Sequence, residues 1–73
     1  MTAEKFREVL YRQPFRPFTI RMVDGRAIDV ADRDFVAMSP SGRTVIVTYA
    51  DDNFSVLDLL LMTELEVSNG HPA

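Results

Sequence analysis

Phe18-Thr19-Ile20-Arg21-Met22-Val23-Asp24-Gly25-Arg26-Ala27-Ile28-Asp29-Val30 is the stretch on which the reading of this chain turns. Phe18, Ile20 and Met22 alternate with Thr19, Arg21 and Val23, the period of two of a strand that shows one face to a core. Asp24-Gly25 tolerates the positive φ angles of a tight turn, and Ile28 and Val30 then resume the alternation. The segment predicts a β-hairpin.

Upstream, the period changes. Thr2 is a good N-cap, Glu4 falls in the first turn where negative charge is favoured, and Phe6, Val9 and Leu10 recur at i, i+3 and i+4. These signals predict a three-turn amphipathic helix over about residues 3–12. Pro14 ends it, because the residue before a proline is driven out of the α region. Pro14-Phe15-Arg16-Pro17-Phe18 then reads as an extended connector carrying two aromatic rings.

Downstream, polar Asp32-Arg33-Asp34 leads into Phe35-Val36-Ala37-Met38, a short strand closed by the turn-forming run Ser39-Pro40-Ser41-Gly42. Thr44-Val45-Ile46-Val47-Thr48-Tyr49 is rich in β-branched residues and predicts a central strand buried on both sides. Asp51-Asp52-Asn53 makes the next turn, and Phe54 and Val56 begin another strand. Asp58 to Leu60 predict a single helical or 3₁₀ turn. In the last strand Leu61, Thr63, Leu65 and Val67 alternate with Met62, Glu64 and Glu66. Residues 68–73 read as a frayed tail.

A chain of 73 residues makes one domain, and a domain of that size buries only about 60% of its unfolded surface. The usual staples are missing: there is no cysteine for a disulfide, and the single histidine, His71, cannot build a zinc site. Self-association is therefore a natural source of further burial. No apolar targeting segment is read at Met1, and the longest apolar run, Leu59 to Met62, is far short of the roughly 20 residues that cross a bilayer. We expect a soluble protein of a reducing, cytoplasmic compartment, with no membrane partner.

The net charge of -3 is unevenly spread. Residues 1–26 carry a balance of +3, and residues 27–73 a balance of -6. Such asymmetry marks either a basic binding face, surfaces that meet in an oligomer, or charges paired within one small domain.

Catalytic chemistry is scarce. With no cysteine and one tail histidine, there is no candidate nucleophile and base pair, and Ser39 and Ser41 are explained by their turn. The acidic clusters Asp29, Asp32, Asp34 and Asp51, Asp52, Asn53 lack the alternating spacing, central glycine and terminal glutamate of a calcium loop. Gly25, Gly42 and Gly70 stand alone, so no phosphate-cradling loop is present. We expect no enzyme, no metal and no cofactor.

Two constellations remain. Arg12, Arg16, Arg21 and Arg26 with Phe15 and Phe18 pair guanidinium groups with aromatic rings, the chemistry of a single-stranded RNA or DNA surface. Against it, the rings staple the connector to the core, the arginines pair with the acidic half, and a pI near 4.9 lacks a basic footprint. Leu57, Leu59, Leu60, Leu61 and Met62 form the second: a two-sided apolar run cannot bury both faces in a thin barrel, so one face meets either another chain or the N-terminal helix.

One helix followed by five or six short antiparallel strands cannot lie flat without exposing an apolar face. We expect the sheet to bend strongly into a partly closed barrel, with the helix over one opening. The order of elements over residues 4–67 resembles the Sm-like proteins, including bacterial Sm-like RNA chaperones, and more broadly SH3-like barrels. The resemblance lies in an N-terminal helix, a first strand such as Phe18 to Val23, the Asp24-Gly25 turn, and a last strand after a short turn. It implies rings joined by edge-strand pairing, and RNA binding by basic and aromatic residues. The chaperones' basic Tyr-Lys-His pore motif falls near Ser55-Val56-Leu57-Asp58, which is neither basic nor aromatic. In its Pro14 to Phe18, Asp24 to Arg26 and Leu59 to Glu64 segments the chain also resembles a group of small uncharacterised bacterial proteins. The expected role is a non-catalytic binding or assembly module, a homo-oligomer or partner of another protein, with RNA as the alternative ligand.

Overall fold

The computed structural model describes residues 1–68. The tail expected at residues 68–73 lies outside that range from residue 69 onward, and so does His71. Helix α1 (Ala3–Leu10) is followed by β1 (Phe18–Met22), β2 (Ala27–Val30), a 3₁₀ turn at Arg33–Phe35, and β3 (Val36–Met38). Strands β4 (Thr44–Thr48) and β5 (Phe54–Asp58), a second 3₁₀ turn at Leu59–Leu61, and β6 (Met62–Val67) complete it. The strands form two three-stranded antiparallel sheets, ordered β2-β1-β6 and β3-β4-β5. One bent sheet was expected; no ladder among the described residues joins the two into a closed barrel.

Both sheets turn one face to a single core. Phe18, Ile20 and Met22 of β1, Ile28 and Val30 of β2, and Met62 of β6 meet Val45 and Val47 of β4 and Leu57 of β5, with Leu59 beyond it. Helix α1 seals this core with Phe6 and Leu10, both essentially inaccessible. The Phe6 ring stands edge-on to Phe18, centroids 5.9 Å apart at 80°, an arrangement aromatic quadrupoles favour. Thr2 caps the helix by accepting the Lys5 N–H at 3.1 Å, as its position predicts.

Several expectations are corrected by tertiary contacts. The helix stops at Leu10, with Tyr11 as its C-cap, rather than near residue 12: Pro14 has no N–H to offer the Leu10 carbonyl, which accepts instead from Arg33 Nε at 2.9 Å, while Arg33 Nη2 donates to the Arg12 carbonyl at 2.9 Å. The chain then passes through a cis Gln13-Pro14 peptide. At the hairpin only Gly25 takes positive φ (93°), and its N–H donates to the Met22 carbonyl, so the loop is a three-residue turn with glycine at its left-handed position. Phe35 lies in the first 3₁₀ turn rather than in β3.

Strand β4 is central in its sheet but is not buried on both sides. Val45 and Val47 face the core, while Ile46 is half-buried and Thr48 exposed. In β6 the alternation slips: Arg21 pairs with Glu64, but Met22 pairs with Met62, leaving Thr63 as the extra residue of a bulge. Thr63 donates its hydroxyl to the Arg21 carbonyl at 3.2 Å. Met62 thereby turns inward in phase with Leu65 and Val67, and Leu61 turns out.

The seat of α1 on the β3–β4 turn gives a stability prediction. Gly42 has φ +79°, and a Cβ there would lie 2.6 Å from the Ala3 Cβ. Gly42→Ala adds overpacking of about 1–3 kcal/mol to left-handed strain of about 1–2 kcal/mol. Gly25→Ala meets nothing within 4 Å and carries the strain alone. Urea unfolding should therefore show Gly42→Ala as clearly the more destabilised of the two.

Candidate interaction surface

The outward faces of the two sheets differ in chemistry. On the β2-β1-β6 sheet the outward residues are Thr19, Arg21, Ala27, Asp29, Glu64 and Glu66. Thr19 donates its hydroxyl to Asp29 at 2.8 Å, and Arg21 donates through Nη2 to Glu66 at 2.8 Å, with Glu64 at 3.8 Å from its Nε. This is an ordinary solvated face. On the β3-β4-β5 sheet, cross-strand register places Ala37, Ile46 and Val56 in one outward row, with Thr48 beside Phe54 in the next. Phe54 and Val56 are 64% and 60% exposed. A single exposed apolar residue is ordinary; a row of them on one sheet face is not.

The sheet edges differ as well. Tyr49 N–H donates to the Asn53 carbonyl and Leu59 N–H to the Arg43 carbonyl, both at 2.8 Å, bracketing the β4–β5 ladder. Because bonded pairs alternate along an antiparallel ladder, Val47 with Ser55 and Val45 with Leu57 are the bonded pairs between them. The backbone N–H and C=O groups of Phe54, Val56 and Asp58 consequently point away from β4, at the free edge. The same counting on β6, from the Ser68 N–H to Pro17 carbonyl bond, places its outward groups on Leu65 and Val67. That edge is flanked by exposed Glu64 and Glu66, lies beside α1, and carries the bulge. Strand β2 is four residues long with charged Asp29 at its edge, and β3 is three residues long. Edge charges, bulges and shortness are the ways proteins blunt an edge. Strand β5 has five residues, no proline, no bulge, and valine at its middle.

The leucine run divides between inside and outside. Leu57, Leu59 and Met62 are 2%, 4% and 3% exposed and belong to the protein's own core, so they are not open to another chain as the sequence suggests. Leu60 and Leu61 are 58% and 48% exposed. The divider is Asp58, whose carboxylate accepts the Leu60 N–H at 2.9 Å and so caps the 3₁₀ turn that twists alternate leucines apart. Val23, 65% exposed, donates its N–H to the Leu61 carbonyl and adds a third apolar side chain there.

The arginine constellation is dispersed. Arg16 and Arg26 sit beyond opposite ends of β1, a five-residue strand of roughly 17 Å at about 3.4 Å per residue. Arg21 is held by Glu66 and Glu64, and Arg26 donates to Asp24 at 2.8 Å. Phe18 is 3% exposed and cannot stack on a base, while Phe15 is half-buried with its ring 6.1 Å from Phe18. Among the described residues, Arg12 and Arg16 alone of this set have no carboxylate partner. Arg33, which the sequence reading passed over, lies over the rings of Tyr11 (5.8 Å) and Phe15 (5.4 Å) while it holds the helix end. Its position beside Asp32 and Asp34 suggested only a polar turn.

The acidic clusters serve local structure. Asp32 accepts from the Asp34 N–H as a cap, and Asp51 accepts from the Asn53 N–H and side-chain amide. No three His, Cys, Asp or Glu side chains converge as a ligand group among the described residues. Nor, among them, is any helix long and apolar enough to cross a membrane. An open groove of about 470 Å³ between Pro17, Asp29 and Glu66 is bordered by carboxylates already engaged with Thr19 and Arg21. No protein-family model, curated protein or solved structure matches the chain.

Asp58 also links this corner to pH. The Arg43 guanidinium, donating at 2.8 and 3.2 Å, together with the Leu60 N–H, holds its carboxyl below the usual aspartate range. A carboxyl lowered in the folded state stabilises it above the unfolded value of about 3.9, and that stabilisation is lost as pH falls through the folded value. Asp58→Asn should therefore lower the melting temperature at neutral pH. Its difference from the parent should shrink as pH drops below about 4, a crossover that a pH series of thermal melts will register.

Proposed function

We propose that the chain is a soluble, cytoplasmic, non-catalytic assembly module that joins copies of itself through edge-strand contacts and exposed apolar side chains. The observation that carries this reading is the contrast between the two sheet faces: one is laced with ion pairs, while the other shows Phe54 and Val56 beside Ile46. Leu60 and Leu61 extend the apolar surface past the second 3₁₀ turn. The absence of cysteine and the single histidine support a non-catalytic role. We also place the architecture with small Sm-like and SH3-like barrels in an opened form. Two 3₁₀ corners, between β2 and β3 and between β5 and β6, supporting that reading, carry the chain from one sheet to the other around one core.

A second reading, binding of single-stranded RNA, is favoured only by Arg12 and Arg16, which have no carboxylate partner among the described residues, and by exposed Tyr11 next to Arg12 in the chain. Phosphate contacts make affinity fall steeply with salt, so a salt titration against labelled RNA separates the two. We expect flat or absent binding.

Light scattering behind a sizing column is the direct test of assembly. The expected result is a homo-oligomer held at both low and moderate salt, since apolar contacts are not screened. A species near 8.3 kDa at every concentration overturns the proposal. Phe54→Ser combined with Leu60→Ser should shift the mass toward monomer while keeping a cooperative melt, lowered only by what association contributes, because both side chains are exposed in the single chain.

A further inference from the structure

The surface just described leaves open which edge meets which, and the pattern on β5 answers it. Phe54, Val56 and Asp58 combine two properties: their backbone N–H and C=O groups face the free edge, and their side chains lie on the outward sheet face. We infer that two copies pair antiparallel along β5, about a two-fold axis at Val56, making one six-stranded sheet across the dimer. This inference rests on the self-association proposed above and specifies its geometry.

The register follows from using every free group. With Val56 opposite Val56 of the partner subunit, Phe54 of each copy lies opposite Asp58 of the partner subunit, and all three outward residues find bonding partners. A shift by two residues in either direction leaves one end unpaired. On the outward face, the row Ala37, Ile46, Val56 continues directly into the same row of the second copy. Phe54 comes diagonal to the second valine, within reach of an aromatic ring.

Charge supports the antiparallel direction. The acidic turn at Asp51 and Asp52 follows β4 and precedes β5, while Arg43, 58% exposed at its side chain, marks the far end of the same strand pair. Antiparallel pairing separates the two acidic turns and carries each toward the other end of the partner's strand pair, where Arg43 and Asp58 neutralise one another. Parallel pairing would set the two acidic turns side by side, with like charges adjacent. A β6–β6 pairing would bring together two edges already carrying Glu64 and Glu66.

The chain contains no cysteine, so a single introduced thiol reports the axis. Directly opposed residues of a bonded antiparallel pair have Cα atoms about 5.5 Å apart, within disulfide reach. Val56→Cys should give a covalent dimer under mild oxidation, whereas Thr48→Cys and Ala27→Cys should remain uncrosslinked. Val56→Pro removes a donor that faces away from β4, so it spares the internal ladder and should weaken dimerisation at least roughly tenfold. A cooperative melt certifies that this variant folds, and Val56→Cys carries the test if it does not. An oligomer larger than two, or a dimer in which Val56→Cys fails to crosslink, overturns the two-fold at Val56 and leaves self-association standing. A parent chain that stays monomeric overturns both.

Discussion

A single core shared by two three-stranded sheets is the constraint from which the other features follow. Each sheet has one inward face, and twelve buried apolar side chains, two of them from the lid α1, fill the core between the faces, with partly buried hydrophobics packed around them. The Phe6–Phe18 contact ties the lid to the middle of the first sheet, and Phe15 backs it from the connector. Any apolar residue in phase with the outward faces has no partner inside a chain of this size. The outward chemistry of each sheet is thus decided by its sequence alone, with no helix among the described residues to cover it.

The corners are set by short polar contacts. Asp32 and Asp58 each cap a 3₁₀ turn, and each turn moves the chain from one sheet to the other. Asp58 has a second task, holding Arg43 across the start of β4, so one carboxylate fixes both the corner and the strand end. The Thr63 bulge completes the adjustment. Without it, the phase leaving the second corner would bury Leu61 and expose Met62; with it, Met62 joins the core and β6 still reaches Val67 in register with Phe18.

Local periodicity made much of this legible. The alternation from Phe18 to Val30 read directly as a hairpin, and Thr2, Phe6 and Leu10 as a capped amphipathic helix, because these features depend on neighbours within a few residues. The Asp58 turn was visible for the same reason. What escaped the sequence depends on long-range contacts. The donor to the carbonyl at the helix end is Arg33, more than twenty positions away, and the division of the leucine run needs the bulge opposite Arg21. Strand β4 looked buried on both sides because Ile46 is as apolar as Val45 and Val47. A continuous apolar run cannot say whether a second layer exists to cover its far side.

The same limit explains why the arginine set was ambiguous. Charge balance over segments suggested a basic face, yet sequence proximity does not place guanidinium groups together: β1 separates Arg16 from Arg26, and Glu66 returns from the far end of the chain to meet Arg21. Once Arg21, Arg26 and Arg43 are paired and Arg33 is spent on carbonyls, the cationic surface reduces to a few scattered side chains. The apolar surface behaves in the opposite way. Folding brings Ile46, Val56 and Phe54 from two strands onto one face, so the structure disperses the cations and gathers the hydrophobes. A surface formed by that gathering, beside an edge with neither charge at its centre nor a bulge, is the ground on which the proposed self-association is preferred to binding of a polyanion.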